Sequence, residues 1–130
     1  MGLVLWWNMA KKPRKSSVAL RPRLRVLCKG ETALGPGRVD LFELIEETGS
    51  LRSAARRMGM SYMRAWKLVK SSNARFRPDL VEVSRGGKSG GGARLTRSGK
   101  EAVALYRRME AQTKQAVQES WMKLQRLLAR

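Results

Sequence analysis

The strongest constraint on the fold is a pair of short helical segments joined by a single tight turn. Ser50 can cap a helix over Leu51–Met58, and Gly59 suits the left-handed backbone that ends it. Ser61 can cap a second helix that runs to about Phe76. Two helices separated by so short a turn must cross steeply, which is the geometry of a helix-turn-helix.

The side chains of both segments fit that crossing. Small or apolar residues occupy the positions that would face inward: Ala54, Ala55, Met58, Met60, Ala65 and Leu68. Basic residues occupy the positions that would face outward: Arg52, Arg56, Arg57, Arg64, Lys67 and Lys70. An ordinary helical hairpin with a solvated face fits the apolar pattern equally well. It does not explain why the outer surface of both helices is exclusively basic.

The flanking segments predict a winged helix. Residues Arg23–Lys29 alternate polar and apolar side chains, which is typical of a short half-buried strand, and a first helix follows from about Val39 to Thr48. After the second helix of the helix-turn-helix, residues 80–83 and 93–95 are predicted strands joined by a glycine-rich basic loop over 85–92. Glycines allow the tip of such a hairpin, the wing, to approach a phosphate backbone closely.

A last helix is predicted from a cap at Thr96 to the C-terminus. Some thirty residues at ~1.5 Å each make a rod of about 45 Å, which is longer than so small a domain can cover. We therefore expect its apolar stripe to pack against a second copy of the chain. The alternative is a helix that folds back over its own domain. The predicted dimer contacts are Leu105, Met109, Ala116, Trp121, Leu124 and Leu128.

The charge of the chain indicates a polyanionic partner. The formal net charge is +18, and residues 51–95 carry eleven basic and two acidic side chains. Each phosphate that such a field neutralises releases condensed counterions, so nucleic acid is the natural ligand. A basic surface kept only for solubility is the alternative. Residues 1–20 are predicted to be a disordered basic tail.

The composition also argues against catalysis and metal binding. The chain has no histidine and a single cysteine, Cys28, so neither an imidazole base nor a thiolate zinc site is available. The dense carboxylates Asp40, Glu43, Glu46 and Glu47 have no accompanying nucleophile and are interpreted as a solvated helix face. We expect no enzyme activity, no catalytic residue, no metal and no cofactor. No apolar run approaches the length of a membrane span, and a cytoplasmic, nucleoid-associated bacterial protein is expected.

Two runs of sequence resemble a known family. They are Ser61-Tyr62-x-x-Ala65-Trp66 and Arg85-Gly86-Gly87-Lys88-x-Gly90-Gly91-Gly92-Ala93-x-Leu95-Thr96, followed by Gly99 and Leu105-Tyr106. The resemblance covers about residues 24–110 and is to the DNA-binding half of the ModE family of molybdate-responsive regulators. It implies a LysR-like winged helix that dimerises through its long helix and, for full-length members, control of molybdate-uptake genes. The family's molybdate-binding half is not matched, so we expect no molybdate binding by this chain.

The predicted fold is therefore mainly α with a small β wing: a tail at 1–20, a winged helix-turn-helix at 21–95 and a dimerisation helix at 96–130. The predicted function is sequence-specific recognition of double-stranded DNA by a homodimeric transcriptional regulator. The alternative is an architectural DNA- or RNA-binding protein without base readout. Helix 61–76 would enter the major groove, with base contacts from Ser61, Tyr62, Met63, Arg64 and Lys67. Backbone contacts are predicted for Arg52, Arg85, Gly86, Gly87, Lys88 and Arg94.

Overall fold

The structure, a computed structural model, describes residues 18–84 and 92–129. The chain divides into two compact units: Arg23–Gln112, and a second unit of which residues 18–22 and 113–129 are described. The described elements, in order, are β1 Val26–Cys28, β2 Glu31–Leu34, α1 Pro36–Thr48, α2 Leu51–Met58, α3 Tyr62–Asn73, β3 Val81–Ser84, β4 Gly92–Leu95, α4 Arg97–Ala116 and α5 Gln118–Gln125. Helices dominate, with two antiparallel strand pairs in the described residues, which confirms the predicted fold class. None of the described helices is long and apolar enough to cross a membrane.

The segment before α1 is a β-hairpin, whereas the sequence had indicated one strand over Arg23–Lys29. The strand begins only at Val26 and ends at Cys28, which pairs with Glu31 of β2. Lys29 and Gly30 form the connection, with φ of 54° and 81°. Positive φ at both central residues is what a two-residue hairpin turn needs, because its twist then matches that of the strands. The second strand is the element that sequence reasoning missed.

Helices α2 and α3 begin, and α1 and α2 end, where local capping predicts, whereas α1 begins at Pro36, before the predicted start near Val39. The Ser50 and Ser61 hydroxyls accept hydrogen bonds from the backbone N–H groups of Ser53 and Arg64, both at 3.1 Å. Gly49 and Gly59 end α1 and α2 with φ of 70° and 71°. These contacts satisfy backbone groups that a helix end otherwise leaves unpaired.

Helix α3 ends at Asn73 rather than near Phe76, so the predicted length was wrong at this end. The Asn73 side chain forms hydrogen bonds with the backbone at the start of β3. Its Oδ1 accepts from the N–H groups of Leu80 and Val81 at 2.9 and 3.2 Å, and its Nδ2 donates to the Val81 carbonyl at 2.9 Å. Because three backbone groups of Leu80 and Val81 pair with this one amide, Asn73 links the end of α3 to the start of β3.

A single apolar core joins α1, α2, α3, the wing strands and the first turns of α4. Its largest fully buried side chains include Tyr106, Phe42, Leu41 and Ile45. The Tyr106 hydroxyl donates to the Leu24 carbonyl at 2.7 Å, which fixes the chain just before β1. The first part of the last helix therefore belongs to the core of the winged domain as well as to the predicted dimer helix.

The last helix starts as predicted but is not continuous. The Thr96 hydroxyl accepts from the Gly99 N–H at 3.0 Å, which caps α4. One residue, Val117, separates α4 from α5, although its N–H still reaches the Thr113 carbonyl at 3.2 Å. Helix α5 ends at Gln125, and residues 126–128 then bond to carbonyls three positions back, the tightened geometry of a helix end. The predicted uninterrupted helix to the C-terminus was therefore wrong, and no glycine or proline marks the break.

Candidate nucleic-acid interface

The turn between α2 and α3 brings two basic helices together. Met60 and Gly59 donate their N–H groups to the carbonyls of Ala55 and Arg56, each at 3.0 Å, which closes the end of α2. Ala55 lies 2% exposed against α3, where a larger side chain would hold the helices apart. The small residues predicted for the inward face thus permit the close crossing of a helix-turn-helix.

The predicted base-contact residues lie together at the solvent-facing start of α3. Ser61, Tyr62, Met63, Arg64 and Lys67 are all exposed, and Met63 is 57% exposed. Ala65 and Val69, on the opposite face, are buried in the core. Trp66 is half-buried against the same core and therefore has a packing role. The arrangement presents the first two turns of α3 as an exposed, positively charged surface.

Arg52 and Tyr62 join the two helices on this surface. The Arg52 guanidinium carbon lies 4.9 Å from the centre of the Tyr62 ring, within the range of a cation–π contact. Both side chains line a shallow polar groove together with Ser50 of the α2 cap, Ser84 at the end of β3 and Gly92 at the start of β4. The groove therefore lies where the helix-turn-helix meets the base of the wing.

The wing strands are fixed to the helix-turn-helix by the backbone. Ala93 donates its N–H to the Gly49 carbonyl at 2.9 Å, and a Cβ on Gly92 would lie 3.2 Å from the same oxygen. Pairing of Val81 with Leu95 and of Ser84 with Gly92 confirms the predicted hairpin strands. The Arg94 side chain is exposed and bonds through Nε to Glu82 at 2.9 Å.

The other predicted wing contacts lie outside the residues that the structure describes: Arg85, Gly86, Gly87 and Lys88.

A partly buried polar network joins α3 to α1 and β2, and sequence reasoning missed it. The Arg38 guanidinium donates to the Leu68 carbonyl at 3.0 Å and to the Ser72 hydroxyl at 3.1 Å. Ser72 is fully buried and donates to the Ala33 carbonyl of β2 at 2.8 Å. Burial lowers the pKa of Arg38, but the three acceptors on α3 and β2 leave the network without an unpaired hydroxyl. These bonds set the position of α3 on β2 and α1.

Comparison with known proteins agrees with this geometry. Residues 37–100 match the family described as bacterial regulatory helix-turn-helix protein, lysR family. This stretch is a lysR-type helix-turn-helix domain. It runs from the start of α1 through α2, α3 and the wing strands to the first turn of α4.

Individual relatives give a more specific comparison than the family match. The chain is 41% identical over 86 residues to the molybdenum-pterin-binding protein MopB of Rhodobacter capsulatus, covering 66% of this chain and 32% of MopB. It is 42% identical over 71 residues to the transcriptional regulator ModE of Yersinia pestis, covering 55% of this chain and 27% of that protein. The DNA-binding transcriptional dual regulator ModE of Escherichia coli K12 gives 41% over 71 residues, again 55% and 27%.

Over the matched residues the chain is thus similar to ModE-type regulators, in agreement with the resemblance that the sequence motifs indicated. The chain spans about a third or less of the length of these relatives.

The acidic residues of α1 form ion pairs with other helices, so their interpretation as a solvated face was wrong for Asp40 and Glu43. The Arg107 guanidinium of α4 donates to Asp40 at 2.6 Å, to Glu43 at 2.5 Å and to Glu110 at 2.8 Å. Burial opposes the charge on this guanidinium, but its hydrogen bonds to Glu43, Glu110 and Asp40 outweigh that effect and raise the pKa of Arg107. The cluster therefore joins α1 to α4.

The other two carboxylates of α1 also have partners. Glu47 pairs with Arg57 of α2 at 3.1 Å. Glu46 accepts from the Leu95 N–H at 3.2 Å and lies 3.6 Å from the ammonium of Lys100. Within the described ranges, no group of three or more acidic or cysteine side chains could hold a metal ion. The carboxylates thus connect α1 with α2, β4 and α4.

The predicted dimer residues of the last two helices are largely solvent-exposed in the single chain. Leu105 is 50% exposed and Met109 43% exposed on the part of α4 within the Arg23–Gln112 unit. In the second unit, Leu124 is 50% and Leu128 42% exposed, Ala116 is exposed and Trp121 is half-buried.

Proposed function

We propose that the chain is a sequence-specific regulator that binds double-stranded DNA through its lysR-type domain. The observation that carries this proposal is the exposed, basic start of α3, which a buried core, two serine caps and the Arg38 network hold in place. A helix presented in this way fits the major groove of B-DNA and reads base edges with its N-terminal residues. The relatives named as transcriptional regulators support the same function.

Four exposed residues at the start of α3 and its cap have roles suited to their chemistry. Arg64 is the first choice for a bidentate hydrogen bond to guanine O6 and N7, and Lys67 is the next. Met63 offers an apolar surface for a thymine methyl group. The Ser61 hydroxyl accepts the Arg64 N–H as a cap, and its own hydrogen is left to donate to a phosphate or sugar oxygen.

The wing and α2 would hold the DNA backbone beside the recognition helix. We assign Arg52, Arg94 and, from the sequence, Arg85, Gly86, Gly87 and Lys88 to phosphate contacts. The ion pair of Arg94 with Glu82 uses Nε, so the two terminal nitrogens of Arg94 still offer donors to a phosphate. These contacts would supply affinity that is independent of sequence and sensitive to salt.

The proposed assembly is a homodimer formed through the last helices. Exposed apolar side chains support this assembly, because their removal from water at an interface is energetically favourable: Leu105, Met109, Leu124 and Leu128. Full-length protein should be dimeric in light scattering. Truncation before Ala116 should give a folded monomer, because all the core residues lie upstream. A monomeric full-length chain at tens of micromolar would refute this assembly.

The regulated genes and the effector are also part of the proposal. Similarity to a relative named molybdenum transport protein ModE, from Azotobacter vinelandii, supports genes of molybdenum transport as targets. A tetrahedral oxyanion needs convergent donors in a dry pocket, and we propose that this chain does not itself bind molybdate. Calorimetry with molybdate should give no saturable heat, and a saturable micromolar signal would contradict this proposal.

Nuclease footprinting across genomic DNA tests the function directly. A palindromic site with half-sites about 10–10.5 bp apart, or a multiple of that spacing, is expected for a dimeric reader of the major groove. Protection without any preferred site, or equal affinity for duplex RNA, would instead support an architectural nucleic-acid-binding protein.

A further inference from the structure

Arg52 and Tyr62 form a cation–π contact between two different helices. Arg52 lies in the first turn of α2 and Tyr62 in the first turn of α3, so the pair connects the starts of two different helices. The guanidinium lies 4.9 Å from the ring centre, and Tyr62 as a whole remains 37% exposed. One face of the ring is thus already occupied by a cation, which leaves that face unavailable for contact with a base.

The polar groove beside this pair has the composition of an anion site. Ser50 and Ser84 are among the residues that line it, and Gly92 has no side chain to fill it at the start of β4. Arg52 is the only charged side chain among the described residues that line the groove. Since α3 presents its start to the major groove in the proposed function, the strand flanking that groove would pass this position.

We propose that Arg52 and Tyr62 act as one phosphate-binding unit, in which the Tyr62 ring positions the Arg52 guanidinium for a single DNA phosphate. This role rests on the proposed DNA-binding function. A guanidinium is planar and can stack on a ring while its N–H edges stay free for a phosphate oxygen. An unsupported arginine must lose side-chain entropy when it binds, whereas the ring restricts it beforehand. Tyr62 is then a positioning residue rather than a base contact, and its hydroxyl is dispensable.

A double-mutant cycle on a mixed-sequence DNA duplex, repeated over a range of salt concentrations, tests this role. Arg52→Ala should weaken binding roughly tenfold, the order expected for a charge-assisted hydrogen bond, and should reduce the slope of log K against log salt by about 0.9. Tyr62→Ala should weaken binding about two- to fivefold, the range of an exposed cation–π contact. In the Arg52→Ala background, Tyr62→Ala should have no further effect. Tyr62→Phe, which keeps the ring, should retain the wild-type affinity.

Arg56 provides the matched control. It is an exposed arginine on the same helix, and the ring contacts of the described residues do not include it. Combining Arg56→Ala with Tyr62→Ala should therefore multiply the two single losses. Thermal melting of every variant shows whether a loss of binding reflects a loss of folding.

Two results would overturn the role of Tyr62. One is a loss for Tyr62→Phe as large as that for Tyr62→Ala, which would assign the contact to the hydroxyl. The other is multiplicative losses for Arg52→Ala and Tyr62→Ala, which would show that the two side chains act independently. Failure of the wild-type protein to bind the duplex at low salt is a different result, because it refutes DNA binding itself and the positioning role with it.

Discussion

Substitution of Gly99 by alanine tests how closely α4 approaches Leu80, the residue before the first wing strand. Gly99 lies in the first turn of α4, and a Cβ built at this position would be 2.0 Å from the carbonyl oxygen of Leu80. That oxygen is part of the backbone and accepts hydrogen bonds from the Thr96 N–H at 2.9 Å and the Thr96 hydroxyl at 3.2 Å. Gly99→Ala therefore cannot be accommodated by rotation of a flexible side chain.

The expected loss of stability follows from three contributions. Forcing extra volume into a packed site costs about 1–3 kcal/mol. Displacing the Leu80 carbonyl weakens two hydrogen bonds, each with a net contribution of about 0.5–1.5 kcal/mol. Alanine recovers about 0.5–1 kcal/mol relative to glycine within a helix. The free energy of unfolding should thus fall by about 3 kcal/mol, which corresponds to a decrease in Tm of more than about 10 °C for a domain of this size.

Urea unfolding followed by circular dichroism measures this loss, and Gly37 supplies the control. Gly37 also lies near the start of a helix, α1, but a Cβ there would meet nothing within 4 Å. Gly37→Ala should raise the free energy of unfolding by about 0.5–1 kcal/mol. If Gly99→Ala changed stability by less than about 0.5 kcal/mol, as an ordinary surface substitution does, the close approach of α4 to Leu80 would be refuted.

Two further predictions concern the N-terminal segment and the wing. Tyr106→Phe removes the donor to the Leu24 carbonyl and should cost about 1 kcal/mol at neutral pH. Burial, followed by the charge of Glu110, raises the pKa of Tyr106, so its contribution to stability should be complete below the unfolded pKa of about 10 and decline above it. Unfolding curves of the variant should lack that alkaline decline, and an identical decline in both proteins would contradict the assignment. Lys88→Ala should weaken binding equally on all DNA sequences and make the salt slope shallower by about one unit. A changed base preference with an unchanged slope would exclude a phosphate contact.

Local signals account for the features that the sequence predicted well. Ser50, Ser61 and Thr96 cap helices through backbone groups three positions away, and Gly49 and Gly59 end helices through their own φ. These interactions are complete within a few residues, so the turn of the helix-turn-helix and the starts of both its helices could be located without knowledge of the fold.

Interactions between distant segments account for what the sequence did not predict. A serine in a helix is ordinarily expected at the surface. Ser72 is buried because its hydroxyl donates a hydrogen bond to the Ala33 carbonyl of β2. Asn73 ends α3 early because the start of β3, eight residues later, needs its amide. Asp40 reads as solvated until α4 brings Arg107 beside it. In each case the partner is identified only by the packed structure. The Lys29–Gly30 hairpin is different, because its turn is a local signal that was overlooked.

The base preference of an Arg64→Ala variant tests the central claim most directly. Affinities of the wild type and the variant are compared on the footprinted site, on every single-base change of that site and on scrambled DNA at one salt concentration. Loss of a bidentate guanine contact should cost about 1–3 kcal/mol on the preferred site and relax discrimination at one base pair per half-site, while binding to scrambled DNA barely changes. An equal loss on the preferred and scrambled duplexes would contradict base reading by α3 and would make Arg64 a phosphate contact.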